Sequence, residues 1–185
     1  MNRSFVMWLV FAICCAAQVA VPASMIVRHE RTLEHGRVYR FRCAPVDPAD
    51  PFRGRYVALD FAAARFDGER PPDLVPGSEA YALVDEDEGG FARIALLSDT
   101  PPSTGDFVKV RVGWRMSSVL RLQFPFDRYY MEEKLAPQAE QAYRSRTMRD
   151  EDAWVTVRIK EGHAVLEELY FDGLPVREYL AREVD

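Results

Sequence analysis

The strongest constraint on this chain is alternation. From residue 38 onward, apolar and polar side chains exchange places in segment after segment, which is the pattern of strands with one buried face. Val38-Tyr39-Arg40-Phe41-Arg42-Cys43 is the first such segment, and Tyr56-Val57-Ala58-Leu59-Asp60-Phe61 is the second. Glu79 to Val84 and Phe91 to Leu97 follow, then Phe107 to Val112 and Val119 to Phe124, and finally Trp154 to Lys160 and Ala164 to Phe171. Turn residues punctuate them. Asp85-Glu86-Asp87-Glu88-Gly89-Gly90 offers two glycines where a hairpin loop needs positive φ, and Glu161-Gly162-His163 and Asp172-Gly173 mark later turns. Evenly spaced strands of this kind predict a mainly β domain over 37–185, an antiparallel β sandwich or barrel-like sheet rather than a parallel α/β fold. One short helix is expected over Pro137 to Met148, where Ala139, Ala142, Tyr143 and Arg146 recur at helical spacing. Glu69 to Pro76 and Asp99 to Gly105 are rich in Pro, Ser and Gly and are expected as surface loops.

Ahead of the strands, Phe5 to Val27 is an uncharged apolar run. At helical rise it is long enough to cross a hydrocarbon core of roughly 30 Å. Two readings compete, a transmembrane anchor over residues 1–27 or a signal peptide cut after Val21-Pro22-Ala23. The run continues through Met25-Ile26-Val27 beyond that site, which favours a retained anchor, with 28–36 as a juxtamembrane linker. Arg28, Arg31, Arg37 and Arg40 outnumber Arg3, so a positive-inside count keeps the domain inside the cell. A very short N-tail before an apolar run resembles an export signal instead, and on that ground the outer side is expected.

Composition excludes several classes of function. The formal net charge is −5, and setting aside residues 1–27, which hold Arg3 and no acid, leaves 23 basic against 29 acidic side chains. Such a domain gains nothing from the counterion release that drives binding to nucleic acid, so no nucleic-acid partner is expected. Cys14 and Cys15 lie inside the apolar run, and Cys43 is the lone thiol of the domain, so no internal disulfide supports the fold. Cys43 sits in a strand-like alternation with no neighbouring His, which disfavours it as a nucleophile. His29, His35 and His163 make no metal-binding spacing, the acidic run at 85–88 lacks the ligand layout of a calcium loop, and no cofactor is expected. Lys109 with a loop serine such as Ser103 is a weak Ser–Lys pair. Glu132 and Glu133 are adjacent and point apart, as on a solvated face. Lys109, Arg111 and Arg121 occupy polar positions of their strands, so one face there is apolar and the other basic.

The stretch APVDPADPFRGRYVALDF, Ala44 to Phe61, carries the most specific signal. Asp47-Pro48 and Asp50-Pro51 are turn starters, because Pro fixes φ and the Asp carboxylate accepts nearby backbone N–H groups. They run through Phe52-Arg53-Gly54 into the Tyr56 strand. Gly54-Arg55-Tyr56-Val57-Ala58-Leu59-Asp60-Phe61 resembles the GDYxxLxY signature of a poorly characterised family of bacterial membrane-anchored proteins. Phe126-Asp127-Arg128-Tyr129-Tyr130 and Leu169-Tyr170-Phe171-Asp172-Gly173 follow in that family's order. The chain departs from the signature at Arg55, where the motif has Asp, and at Phe61, where it has Tyr.

The resemblance implies a retained N-terminal helix and no established reaction. It points to a membrane-tethered β-rich domain, single-pass in the bacterial inner membrane and periplasmic, with the lipid bilayer held through residues 5–27. A non-catalytic role as a protein-interaction module with a polytopic membrane protein is the expectation. The alternatives are an envelope enzyme or small-ligand-binding domain with a polar site around Asp47, Asp50, Arg53 and Arg128, and a purely structural envelope component. Asp47 and Asp50 are expected to brace the loop and Arg53 to face a partner, with Gly54, Tyr56 and Leu59 as further motif residues.

Overall fold

In the computed structural model, residues 3–46, 56–68, 71, 74–116, 119–148 and 152–183 are described. The chain begins with helix α1, Arg3–His35, whose apolar stretch from Val6 is exposed throughout and is long and apolar enough to span a membrane. The residues expected as a linker, 28–36, are helical as far as His35. The last turn of α1 is pinned to the domain, with Thr32 buried and Gly36 N–H donating to the Thr32 carbonyl at 2.8 Å.

The domain is mainly β, with all its ladders antiparallel. Its strands are β1 (Arg37–Ala44), β2 (Tyr56–Ala58), β3 (Asp60–Phe61), β4 (Arg65–Phe66), β5 (Glu79–Glu86), β6 (Ala92–Ser98), β7 (Phe107–Met116), β8 (Val119–Gln123), β9 (Arg128–Tyr130), β10 (Ala153–Lys160), β11 (His163–Phe171) and β12 (Leu174–Pro175). One sheet runs β12-β11-β10-β1-β3, another β4-β8-β7-β5-β6, and β2 pairs with β9 alone. A bridge between Val108 of β7 and Gly162 at the β10–β11 turn links the two large sheets into a nearly closed barrel-like body. Every long segment expected from alternation is a strand, with Tyr39, Phe41 and Cys43 on β1 and Val108, Val110 and Val112 on β7 buried; on β6 a bulge opposite Leu83 and Val84 breaks the alternation, leaving Leu96 exposed and Leu97 buried.

Within the strands and their turns, two further details differ from the sequence expectation. The Tyr56–Phe61 segment is not one ladder: it divides at Leu59, pairing first with β9 and then with β1. In the β5–β6 loop only Gly90 of the two glycines adopts positive φ. There the Asp87 carboxylate accepts the Phe91 N–H at 2.9 Å, and Arg40 donates to the carbonyls of Gly89 and Gly90.

Helix α2, Ala136–Met148, is the expected short helix, burying Ala136, Ala139, Ala142, Tyr143 and Thr147 on one face. A second short helix, α3 at Val176–Glu183, follows the Asp172-Gly173 turn and buries Val176, Tyr179 and Leu180 at i, i+3, i+4 spacing. The core is organised by Phe41, Phe61, Phe124 and Phe126, whose four rings touch in all six pairings at centroid distances from 5.1 to 5.8 Å. Offset and edge-on aromatic pairs of this kind add to burial about 0.5–1.5 kcal/mol each.

Two hairpins use the same two-residue turn chemistry. Glu161-Gly162 (φ 49° and 79°) and Asp172-Gly173 (φ 51° and 77°) both place positive φ at two central residues, as type I′ turns require. Their surroundings differ. A Cβ at Gly162 would lie 2.5 Å from the Phe107 ring, whereas one at Gly173 meets nothing within 4 Å. Gly173→Ala is therefore expected to cost about 1–2 kcal/mol, the left-handed backbone penalty alone. Gly162→Ala should cost clearly more, because the Phe107 ring at the barrel seam must also move. Urea unfolding of the two variants side by side checks this, and equal losses would mean that the seam contact is soft.

Candidate functional site

The signature strand places its side chains on two faces. Val57, Leu59 and Phe61 are buried, while Tyr56, Ala58 and Asp60 are half-buried and look outward. Cross-strand register sets Tyr56 against Tyr130 and Ala58 against Arg128. The two tyrosine rings lie 5.6 Å apart, and the Arg128 guanidinium stands over the Tyr56 ring at 5.1 Å. Tyr130, with Asp127 next in weight, pushes Arg128 further above its ordinary pKa, so its charge is permanent. Tyr130 is 65% exposed, far more than a core tyrosine. The outward face of β2–β9 is thus an aromatic and cationic patch at the point where the signature segment enters the sheet.

Behind this patch, polar groups hold the strand in place. The Leu59 N–H donates to the Asp127 carbonyl at 2.9 Å, so the β8–β9 turn replaces a ladder partner where the strand divides. The Asp60 N–H donates to the Tyr143 hydroxyl at 3.0 Å, and that hydroxyl donates to the Ala44 carbonyl at 2.7 Å. Tyr143, on α2, therefore ties the end of β1 to the start of β3 across the segment between them. The Asp60 carboxylate accepts the Phe61 N–H at 2.8 Å and pairs with Arg121 of β8. On the inner side of β9, the Tyr129 hydroxyl donates to Glu168. Burial pushes the hydroxyls of Tyr143 and Tyr129 well above the ordinary tyrosine range, so both remain protonated donors.

Of the residues singled out in the sequence, Tyr56 and Arg128 come together here, while Leu59 lies on the buried face of the same segment. Asp47, Asp50, Arg53 and Gly54 lie outside the described residues, so of the polar-site alternative Arg128 alone is placed. Arg128 itself caps an aromatic ring, as a recognition group does. Burial pushes the Cys43 thiol well above its ordinary range, and it packs as a small core hydrophobe. Among the described residues no group of His, Cys, Asp and Glu is arranged to hold a metal ion.

Sequence reasoning did not single out Tyr130, Asp60 or the Tyr143 hydroxyl. Tyr130 had only the signal of its place beside Arg128 in the Phe126–Tyr130 segment. The role of Tyr143 had none, because a buried tyrosine at helical spacing does not disclose where its hydroxyl points. Tyr143→Phe removes the acceptor for the buried Asp60 N–H and the donor to Ala44 without changing ring packing. A loss of about 1–3 kcal/mol is expected, the cost of unsatisfied buried polar groups, measured by denaturant unfolding against wild type. A loss under a few tenths would show that water replaces the hydroxyl.

No curated protein and no solved structure matches this chain. Residues 18–169 match the family of GDYXXLXY proteins, a span that includes the distal half of α1, the signature strand and the β-rich body as far as β11. The chain belongs to the GDYXXLXY protein family.

Proposed function

We propose that this protein is a non-catalytic interaction domain tethered to the bacterial inner membrane, with its β-rich body in the periplasm and a polytopic membrane protein as its partner. The observation that carries this reading is the outward patch of Tyr56, Arg128 and Tyr130. Tyrosine and arginine dominate binding energy at protein interfaces, since each offers a large, stiff contact area together with polar contacts. Here they are held by strand pairing and mutual stacking, so little side-chain freedom remains to be lost on association.

The anchor supports a partner in the same membrane. A helix able to span the bilayer confines the domain to its surface, which raises its effective concentration for membrane proteins over soluble ones. Two of the four arginines that argue for the opposite orientation have work inside the fold. Arg37 pairs with Glu86 at 3.5 Å and lies over Tyr39, and Arg40 holds the β5–β6 loop carbonyls. Arg28 and Arg31 remain as juxtamembrane charges against Arg3, which weakens the positive-inside argument for a cytoplasmic domain.

The test is capture from membranes solubilised in mild detergent, with full-length chain as bait. A stoichiometric membrane protein is the expected prey. Arg128→Ala combined with Tyr130→Ala should reduce its recovery at least about tenfold, each truncation of an interface anchor typically costing more than 1 kcal/mol. Unfolding free energy should change by no more than about 0.5 kcal/mol, as at exposed sites. Undiminished capture by the double variant overturns the assignment of this patch. Digestion of the domain by protease added outside spheroplasts is the expected result for orientation, and protection overturns the periplasmic placement.

A further inference from the structure

The end of α1 and the outside of the barrel enclose a cleft of about 1380 Å³. One wall is the helix from Ser24 to Thr32; the other is formed by β7 and the β10–β11 turn. Arg28, Arg31, Lys109, Arg111 and Lys160 line it, against the carboxylates of Glu79, Asp127 and Glu161. Glu79 is taken by Lys109 at 2.6 Å, and Asp127 lies 3.6 Å from Arg128. Among the described residues no ion pair is made by Arg28, Arg31, Arg111 or Lys160, so four cations share this space with one unpaired acid. In a chain of net charge −5 this is a local inversion of sign. Burial first, and then His29 and Arg28, hold His163 below its ordinary pKa, and its Nε2 is buried in the cleft wall without a hydrogen-bond partner.

Depth identifies the occupant. If Phe5 to Val27 fills the hydrocarbon core, Arg28 stands at its edge. The three-residue step from Arg28 to Arg31 rises about 4.5 Å, which lies within one headgroup layer. The same cleft carries apolar wall at its membrane end from Val27 and farther along from Phe107 and Pro125. Like charges facing each other across a cavity are relieved by an anion, and an anion found at this depth is a phosphodiester with acyl chains attached.

We propose that this cleft is a binding site for an anionic phospholipid, whose phosphate is held between Arg28 and Arg31 of the anchor and Arg111 and Lys160 of the barrel. The lipid then joins the helix to the domain and fixes the angle at which the domain stands on the membrane. The proposal rests on α1 spanning the bilayer. It goes beyond the general attraction of juxtamembrane arginines to acidic membranes, because it requires two residues far along the chain, on strands of the folded domain.

Full-length chain is reconstituted into nanodiscs of phosphatidylcholine with and without phosphatidylglycerol, and lipid retained on gentle release is identified by native mass spectrometry. Retention of one phosphatidylglycerol at least about tenfold over phosphatidylcholine is expected, falling about tenfold in the Arg111→Ala, Lys160→Ala variant. The Arg93→Ala variant, altered at an exposed pair with Asp85 on the β5–β6 hairpin, should bind as wild type does. An unchanged unfolding temperature of the double variant in phosphatidylcholine confirms that it folds. Equal retention of both lipids, or full retention by the double variant, overturns the site while leaving the anchor standing. Competition of the bound lipid by glycerol 3-phosphate at similar concentration overturns the lipid in favour of a soluble phosphate. Failure of the chain to enter nanodiscs at all overturns both the site and the membrane-spanning reading beneath it.

Discussion

A single phenolic hydroxyl joins three parts of this domain. Tyr143 projects from α2 into the gap between β1 and β3, gives its proton to the Ala44 carbonyl and receives the Asp60 N–H. The segment between those two residues holds all but the last positions of the family signature, so its two ends are held by the same oxygen. Asp60 then extends the connection through Arg121 to β8, and the four-phenylalanine cluster closes beneath it. Hydrogen bonds fix position here and aromatic burial supplies most of the energy. A buried donor left without its partner is costly, whereas a satisfied one adds little beyond specificity.

The long strands were legible because half-buried sheets impose a period of two on their sequences, which β1, β5, β8 and β7 as far as Val112 keep, while bulges interrupt it on β6 and along the β10–β11 pair. Lys109, Arg111 and Arg121 were correctly placed on the solvent side by the same rule. The short pieces β4, β9 and β12 were not legible, since two or three residues contain too few alternations to show a period. Nor was the division of the signature strand. Val57, Leu59 and Phe61 keep their inward alternation straight through it, and only the identity of the hydrogen-bond partner changes, from β9 to β1. Side-chain pattern carries no record of that. Arg128 was named as a site residue on its place in a motif, yet its position opposite Ala58 and diagonal to the Tyr56 ring follows from register, which depends on two segments far apart in the chain being brought together.

Charge shows the same limit. Arg28 and Arg31 appeared in the sequence as topology signals, and Arg111 as a solvent-facing strand residue. Their convergence on one cleft is created by the way α1 leans on the β10–β11 hairpin, where Thr32 is buried and His29 lies 6.2 Å from His163 ring to ring. A helix that continues without a break to His35 carries the apolar stretch directly up to β1.

Of the two departures from the family signature, Arg55 lies outside the described residues and Phe61 falls on the packing side of this division of labour. Phe61, where the motif has tyrosine, is 2% exposed, and its ring contacts are with Phe41, Phe124 and Phe126. The hydroxyl it lacks is not needed to hold the strand, because Asp60 beside it already supplies the polar link, to Arg121 and to its own neighbour's N–H. The inward positions of the signature therefore serve packing, and an aromatic ring of either kind fills the last of them. The outward positions other than Asp60, which Arg121 holds, face away from the core. Tyr56 occupies the first of these and matches the signature, and it is there that the fold stacks Arg128 and Tyr130. A residue whose identity were set by packing alone would face the core; Tyr56 does not, which is why the functional reading is placed on that side of the strand.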